Sequence, residues 1–343
     1  MTLPAPLPAF ERPQSGPLVD RYGRAHTYLR VSVTDRCNYR CTYCMPAEGL
    51  KWLPRTELMT YEELTRVVGA FVRLGVRRVR LTGGEPTVRQ DLVTLVAHLA
   101  AIPGLDDLSM TSNGERLAGL AGPLARAGLR RVNISLDTLD PEQFRALTRT
   151  GDLRAVLAAI DAALEAGLTP VKINAVMARS VNEGQVVALA RHFGPLADRV
   201  QVRFIETMPF RDAARVHLPA AEMRAMLAEH YTLEPLEAPQ GGGPARYWRL
   251  RESGLAVGFI SPITEHFCQA CNRLRLMVDG HLRTCLSRDD TPSLRDLVRA
   301  GADDAAIEAA LREMVWAKVA GHEAHLDGDA FRAFEGVMTA IGG

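Results

Sequence analysis

The chain has 343 residues, which at about 150 residues per domain leaves room for roughly two domains, or for one large α/β barrel with an appendage. Its 47% apolar and 24% charged residues match ordinary globular proteins and exclude disordered and fibrous classes, and no apolar run approaches the ~18 residues of a membrane span. With 41 Lys plus Arg against 40 Asp plus Glu, no global field draws nucleic acid or an anionic membrane, so a polyanionic ligand needs a local basic site.

Residues 1–27 carry no motif, and their start lacks both the basic and the continuous apolar stretch of a secretory signal, so the expected location is the cytoplasm. From about Tyr28 to Glu206, short β-branched or alternating runs take turns with amphipathic runs of helical length, the rhythm of a parallel sheet. Strands are expected at 28–34, 77–82, 107–111, 131–136, 171–177 and 200–205. A helix begins at Thr60, where Thr60 and Glu63 form a capping box ahead of an apolar stripe of Leu64, Val67, Val68, Phe71 and Val72, and Gly75 stops it. Further helices are expected at 91–101, 117–127, 153–166 and 183–193.

Six βα units are too few to close an eight-stranded barrel. The expected fold is α/β, an open, partial (β/α)6 barrel over 28–230 with ligands at the C-terminal ends of its strands. After Met208 the rhythm changes: a helix at 219–230, the run Gly241-Gly242-Gly243, shorter strand-like pieces, then helices near 294–299 and 305–319. The region 231–343 reads as a smaller α+β extension.

The six cysteines fall into two groups, Cys37-x3-Cys41-x2-Cys44 and Cys268-x2-Cys271-x13-Cys285. Two triplets in a chain expected in a reducing compartment read as metal sites rather than disulfides. The first lies in the loop after the first strand. Three thiolates there can hold three irons of a 4Fe–4S cube and leave the fourth open to a small molecule; zinc would want a fourth ligand that the loop lacks. In the second, Asp279-Gly280 is a favoured two-residue hairpin turn that pairs Val278 with His281 and Leu274 with Cys285, bringing Cys285 near Cys271. A second cube follows if no fourth ligand is supplied, while His266 or His281 could instead complete a Cys3His zinc site. Arg273 and Arg275 share one strand face beside it. Only three lysines, Lys51, Lys172 and Lys318, stand against 38 arginines, a compositional bias against which each lysine kept is a candidate for a specific role.

The first triplet resembles the loop of the radical S-adenosylmethionine enzymes, and Gly83-Gly84-Glu85-Pro86 after the second strand resembles their cofactor-binding turn, in which glycines let the backbone approach a ligand closely. Together with the Asn272-Arg273-Leu274-Arg275 string inside the second triplet and the terminal Gly342-Gly343, the chain from about Tyr28 to Gly343 closely resembles the GTP 3',8-cyclase family, the molybdenum cofactor biosynthesis protein A family. The resemblance implies two 4Fe–4S clusters facing each other across the barrel, the first holding S-adenosylmethionine and the second touching the guanine of GTP. It implies S-adenosylmethionine contacts at Tyr43, Gly84, Ser135 and Met208. It implies GTP contacts at Arg30, Arg80, Thr111 and Lys172, and at Arg273, Leu274 and Arg275, with the Gly342-Gly343 tail inserting into the active site.

The implied reaction is radical: a 5'-deoxyadenosyl radical takes hydrogen from C3' of the ribose, the carbon radical adds to C8 of guanine, and one further electron and a proton complete the ring. The resemblance further implies a homodimer, an unidentified electron donor, and a functional link to cyclic pyranopterin monophosphate synthase. The rival enzyme reading is another radical S-adenosylmethionine protein with an auxiliary cluster, such as one modifying a peptide. A non-enzymatic module stapled by two metal sites is disfavoured by the neutral charge and the six-unit barrel.

Overall fold

Six strands in a row run the same way, each returning through at least one helix. They are β1 (Tyr28–Ser32), β2 (Arg78–Thr82), β3 (Asp107–Ser112), β4 (Arg131–Ser135), β5 (Val171–Met177) and β6 (Val200–Glu206). The computed structural model describes residues 11–208, 216–237, 243–265, 267–286 and 292–321, and two short strands at 326–327 and 330–331. Between the six strands lie α1 (Tyr61–Arg73), α2 (Leu92–Ala100), α3 (Ala121–Arg126), α4 (Pro141–Thr148), α5 (Leu153–Glu165) and α6 (Gln185–Phe193). The strands pair in chain order, all parallel. That is the open (β/α)6 arrangement expected from the rhythm of the sequence, and it puts all six C-terminal strand ends on one rim.

The helices begin where side-chain oxygens cover open N–H groups. Thr60 accepts from Glu63 N while Glu63 caps back, as the sequence indicated. Helix α4, which the periodicity did not flag, starts at Asp140-Pro141, with Asp140 accepting from Glu142 N and Gln143 N and proline at the first turn. Its eight residues are too few for a clear apolar stripe; the Asp-Pro dipeptide was the legible signal.

Beyond the six units come α7 (Ala220–Ala228), β7 (Leu233–Leu236), β8 (Arg246–Leu250), β9 (Ala256–Ile260), β10 (Arg273–Leu276), β11 (Leu282–Arg283), α8 (Leu294–Arg299), α9 (Asp304–Trp316), β12 (Leu326–Asp327) and β13 (Ala330–Phe331). This extension does not stand apart: β9 pairs parallel with β6 and β10 parallel with β1, so it lengthens the sheet at both edges to eleven strands, in the order β11-β10-β1-β2-β3-β4-β5-β6-β9-β8-β7. Leu29, Val31, Val79, Leu81, Met110, Ile134, Ile173 and Val202 are buried along the sheet against Leu64, Val68, Leu95, Leu99, Leu124, Val156 and Leu189 of the helices. No helix among the described residues is long and apolar enough to cross a membrane.

One register differs from expectation. The pairs are Arg275 with Arg283 and Leu276 with Leu282, and Met277 N donates to His281 O at 2.8 Å. The turn therefore takes in Val278 as well as Asp279 and Gly280, with Gly280 at φ +88°, a three-residue loop closed by a left-handed residue instead of a two-residue turn. The slip by one residue leaves Cys285 past the end of β11 rather than opposite Leu274.

Candidate active site

The first cysteine loop leaves β1 and is pinned by its own backbone. Cys44 N and Met45 N both donate to Cys41 O, at 2.9 and 3.1 Å, and Arg40 N and Thr42 N donate to Thr148 O and Leu147 O at the end of α4. The Gly83-Gly84 turn then closes on it: Gly84 N donates to Thr34 O and Glu85 N to Arg36 O, each at 2.8 Å. A Cβ on Gly84 would lie 2.2 Å from Arg36 O, and one on Gly83, at φ +153°, would lie 2.4 Å from Thr34 O. The close approach these glycines permit is thus to the chain's own cysteine loop. Glu85 is buried and accepts from Thr87 N, Thr87 Oγ1, Ser112 Oγ and Asn113 N, at 2.6–3.1 Å, which ties β2 to β3. Tyr43 donates to Asp137 Oδ2 at 2.7 Å and Val176 N to Asp137 Oδ1 at 2.8 Å, which ties the loop to β4 and β5; burial pushes the Asp137 carboxyl up to about 6.

All six cysteines border a single cavity of about 390 Å³, within the usual range for small-molecule sites. Burial raises the Cys37 thiol to about 11 and that of Cys41 in the same direction. At Cys271 burial also raises, but the charges of Lys318 and Arg273 outweigh it and bring the thiol down to about 7.

Between the two triplets lies a band of cations. Arg30 faces Arg80 of β2 on one side and Arg275 of β10 on the other, in direct register. Like charges placed opposite on neighbouring strands repel, and burial adds to that: it lowers Arg30 well below its ordinary value, with Arg275, Arg80 and Arg273 contributing, and lowers Arg275 to about 10. Lys172 on β5 is brought to about 6 by burial and then by Arg203, Arg131 and Arg80. Arg203, buried on β6, donates to Asn174 Oδ1 at 2.9 Å. With its amide oxygen toward them, Asn133 accepts from Arg203 Nη2 at 2.7 Å and Arg80 Nη1 at 2.5 Å. The carboxylates bordering the cavity, Glu85, Asp137 and Glu206, are each engaged by other donors; Glu206 takes Ala220 N at 2.9 Å and Thr264 N at 3.2 Å. Tyr28 Oη, Thr111 Oγ1 and Arg275 Nε are buried at this cavity with no partner among the described residues.

The structure brings almost every residue singled out by the sequence to this one cavity. Tyr43, Gly84, Ser135 and Met208 border the side of the first triplet, and Arg30, Arg80, Thr111 and Lys172 line the middle. Arg273 and Arg275 project from β10 beside the second triplet, Arg273 over the Phe267 ring at 4.7 Å. Leu274 does not join them: it points to the other face of the strand and is fully buried in the core, as alternation requires. Gly342, Gly343 and His266 lie outside the described residues. His281 does not border the cavity, and its Nδ1 sits 3.1 Å from Asp279 Oδ2.

Asn133, Asp137, Arg203 and Glu206 border or brace the cavity without a motif to announce them. For Arg203 a signal existed, an arginine interrupting the apolar run Val200 to Ile205.

The radical SAM superfamily model matches residues 31–193, and the Molybdenum Cofactor Synthesis C model matches residues 200–324. A GTP 3',8-cyclase of Rhodopseudomonas palustris is 46% identical over 318 residues, 91% of each chain. The chain belongs to the GTP 3',8-cyclase family. A GTP 3',8-cyclase of Mycobacterium sp. strain KMS is 47% identical over 342 residues, 98% of this chain and 96% of that one. Among solved structures, Streptococcus suis SuiB bound to precursor peptide SuiA matches with a TM-score of 0.60 at 16% identity, covering 84% of this chain and 66% of that one. SuiB bound to S-adenosylmethionine matches at 0.58. These likenesses place the GTP 3',8-cyclase fold among radical S-adenosylmethionine enzymes.

The superfamily brings a 4Fe–4S cluster and S-adenosylmethionine, and the site has the chemistry to take them. Three thiols from one short loop open onto a cavity, which suits iron–sulfur ligation. Among the described residues no three His, Cys, Asp or Glu side chains close on one point, the arrangement a single zinc ion demands, whereas a cube takes its thiolates on separate irons.

Proposed function

We propose that Cys37, Cys41 and Cys44 hold one 4Fe–4S cluster and Cys268, Cys271 and Cys285 a second, with S-adenosylmethionine beside Tyr43, Gly84, Ser135 and Met208. GTP lies between them, on Arg30, Arg80, Thr111, Lys172, Arg273 and Arg275, with Leu274 contributing main chain alone. The chain catalyses the radical cyclisation of GTP to (8S)-3',8-cyclo-7,8-dihydroguanosine 5'-triphosphate, the first step of molybdenum cofactor biosynthesis.

The observation that carries the substrate assignment is the crowding of desolvated cations on β1, β2, β5, β6 and β10, in a chain whose overall charge is +1. Such a set is costly unless an anion joins it, and a triphosphate, with roughly four negative charges, compensates several cations at once.

When bound, the reduced first cluster with S-adenosylmethionine supplies the 5'-deoxyadenosyl radical that takes hydrogen from C3' of the ribose. The protein's part is to hold and shield. The arginines and Lys172 replace the water around the triphosphate and so fix the ribose. Thr111 Oγ1 and Tyr28 Oη, lacking partners of their own among the described residues, offer hydrogen bonds to the nucleoside. The Tyr43–Asp137 link and the Gly83-Gly84 turn hold the first cysteine loop at a fixed distance from that ribose. No side-chain acid or base is required for the hydrogen abstraction. The Gly342-Gly343 tail, a homodimer, an external electron donor, a cytoplasmic location and delivery of product to cyclic pyranopterin monophosphate synthase complete the proposal and rest on the family resemblance.

The test is one anaerobic reaction of reconstituted protein with GTP, S-adenosylmethionine and a reductant, read by mass spectrometry. The cyclised nucleotide and 5'-deoxyadenosine should appear together. 5'-Deoxyadenosine without any cyclised nucleotide would remove GTP as the substrate, and neither product from fully loaded protein would remove the radical chemistry.

A further inference from the structure

Lys318 is one of three lysines in a chain of 38 arginines, and it is buried, 2% exposed, just past the C-terminal end of α9. Its ammonium donates to Arg273 O at 2.7 Å and to Cys271 Sγ at 3.6 Å. Among the described residues no carboxylate pairs with it. Asp20, in the neighbouring turn, is taken up by Arg24 Nε at 2.6 Å, Tyr22 N at 2.9 Å and His26 Nε2 at 3.1 Å. Arg24 in turn clasps this corner, donating to Cys268 O at 2.8 Å and to Val319 O at 2.6 Å. The other charged side chains that bear on Lys318 are Arg24 and Arg273, both cations.

A buried ammonium needs a compensating negative charge. One carbonyl and the weak negative end of a helix supply only part of it. The remaining neighbour is a cysteine sulfur of the second triplet. We infer that Lys318 is the counter-ion of the metal cluster held by Cys271, fixing that sulfur by an N–H···S hydrogen bond and making the cluster easier to reduce. The inference rests on the second triplet holding a cluster.

The physical basis is electrostatic. A cube bound by three thiolates is anionic and becomes more so when it accepts an electron, so a fixed cation at one of its sulfurs favours the reduced form. Lysine serves this corner where arginine would not: its compact point charge reaches one sulfur and one carbonyl, whereas a planar fork would need a wider set of acceptors. Lys318 is a positioning residue, acting through Cys271 rather than touching GTP.

The test uses the full-length chain with Cys37, Cys41 and Cys44 changed to Ser, so that all bound iron belongs to the second triplet, and compares Lys318 with Lys318→Arg and Lys318→Met. Iron per chain, the midpoint potential from an anaerobic titration followed by electron paramagnetic resonance, and thermal midpoints with and without the cluster are measured. A counter-ion predicts a lower potential in Lys318→Met, a potential near the parent's in Lys318→Arg, and a melting loss for Met confined to the loaded form. Loss of iron in Met with the iron-free protein melting as the parent does supports the same role. An unchanged potential in iron-loaded Met, or an equal melting loss with and without the cluster, makes Lys318 an ordinary tether and overturns the inference. Absence of iron in the Lys318 parent itself would instead remove the second cluster, and the inference with it.

Discussion

Arg30 on β1 and Arg275 on β10 stand directly opposite each other in parallel register, although one belongs to the first strand and the other to the C-terminal extension. Two like charges so placed oppose folding and favour an anion between them. Arg275→Ala should therefore leave the iron-loaded, nucleotide-free protein about as stable as the parent, within about 0.5 kcal/mol. Its GTP affinity should fall by about 1.5–3 kcal/mol, the worth of a charge-assisted hydrogen bond. Calorimetric titration with GTP checks it; unchanged affinity and turnover would make Arg275 no more than the polar face of a hairpin.

Lys172 gives the pH prediction. Its folded-state value is down at about 6, from an ordinary 10.5, so without ligand it is largely neutral above pH 6. A bound triphosphate restores the charged form, so GTP binding at pH 7–8 should take up close to one proton, and affinity should decline as pH rises above about 6. By the same linkage the nucleotide-free protein gains stability between pH 6 and 10.5, where the unfolded chain binds the extra proton. Titrations in buffers of differing ionisation enthalpy measure the uptake, and Lys172→Met should abolish it. Uptake that persists in the Met variant would place the proton elsewhere.

The Gly83-Gly84 turn predicts a steric outcome. Gly84→Ala puts a methyl group 2.2 Å from Arg36 O and 2.5 Å from Arg36 C, backbone atoms that cannot yield without moving the cysteine loop. A loss of about 3 kcal/mol in denaturant unfolding, the upper part of the overpacking range, should accompany loss of iron at the first triplet. Gly119→Ala, which meets nothing within 4 Å, is the control. A stable, iron-replete Gly84→Ala protein would show that the loop adjusts freely.

Tyr43→Phe removes one of the two hydrogen bonds that the buried Asp137 carboxyl accepts. Asp137 already titrates at about 6 in the fold against 3.8 as its ordinary value, so its contribution is full below about pH 4 and is lost as pH rises through 6. Without the phenol that loss should extend to higher pH and cost about 1–3 kcal/mol at pH 7. Urea unfolding at pH 5 and pH 7 measures the difference; equal effects of the substitution at both would mean that the bond does not brace the loop.

A chain truncated after Ile341 should keep both sets of irons and melt near the parent temperature while forming far less cyclised GTP, because glycines without side chains can thread a narrow channel and deliver a terminal carboxylate. Full turnover by the truncated protein would make the tail an ordinary terminus.

The sequence by itself determined the six βα units, the cysteine loop after β1, the glycine turn after β2 and the capping box at Thr60, because each is set by neighbours in the chain: side-chain periodicity, turn chemistry and short spacing. The same locality let Arg273 and Arg275 be placed on one strand face and failed at the hairpin. There Gly280 takes a left-handed conformation that adds Val278 to the turn. What only the tertiary structure decided was who stands beside whom across the sheet. That β10 docks on β1 and β9 on β6 depends on edge strands far apart in the chain finding each other, and no local pattern encodes that choice. From it follow the arginine row through Arg275, Arg30 and Arg80 and the turning of Leu274 into the core. The placing of Lys318 against Cys271 rests on a second long-range packing, the end of α9 lying against the second cysteine loop. In each case desolvation and like-charge proximity give ordinary residues their chemistry, and both exist only once the sheet has formed.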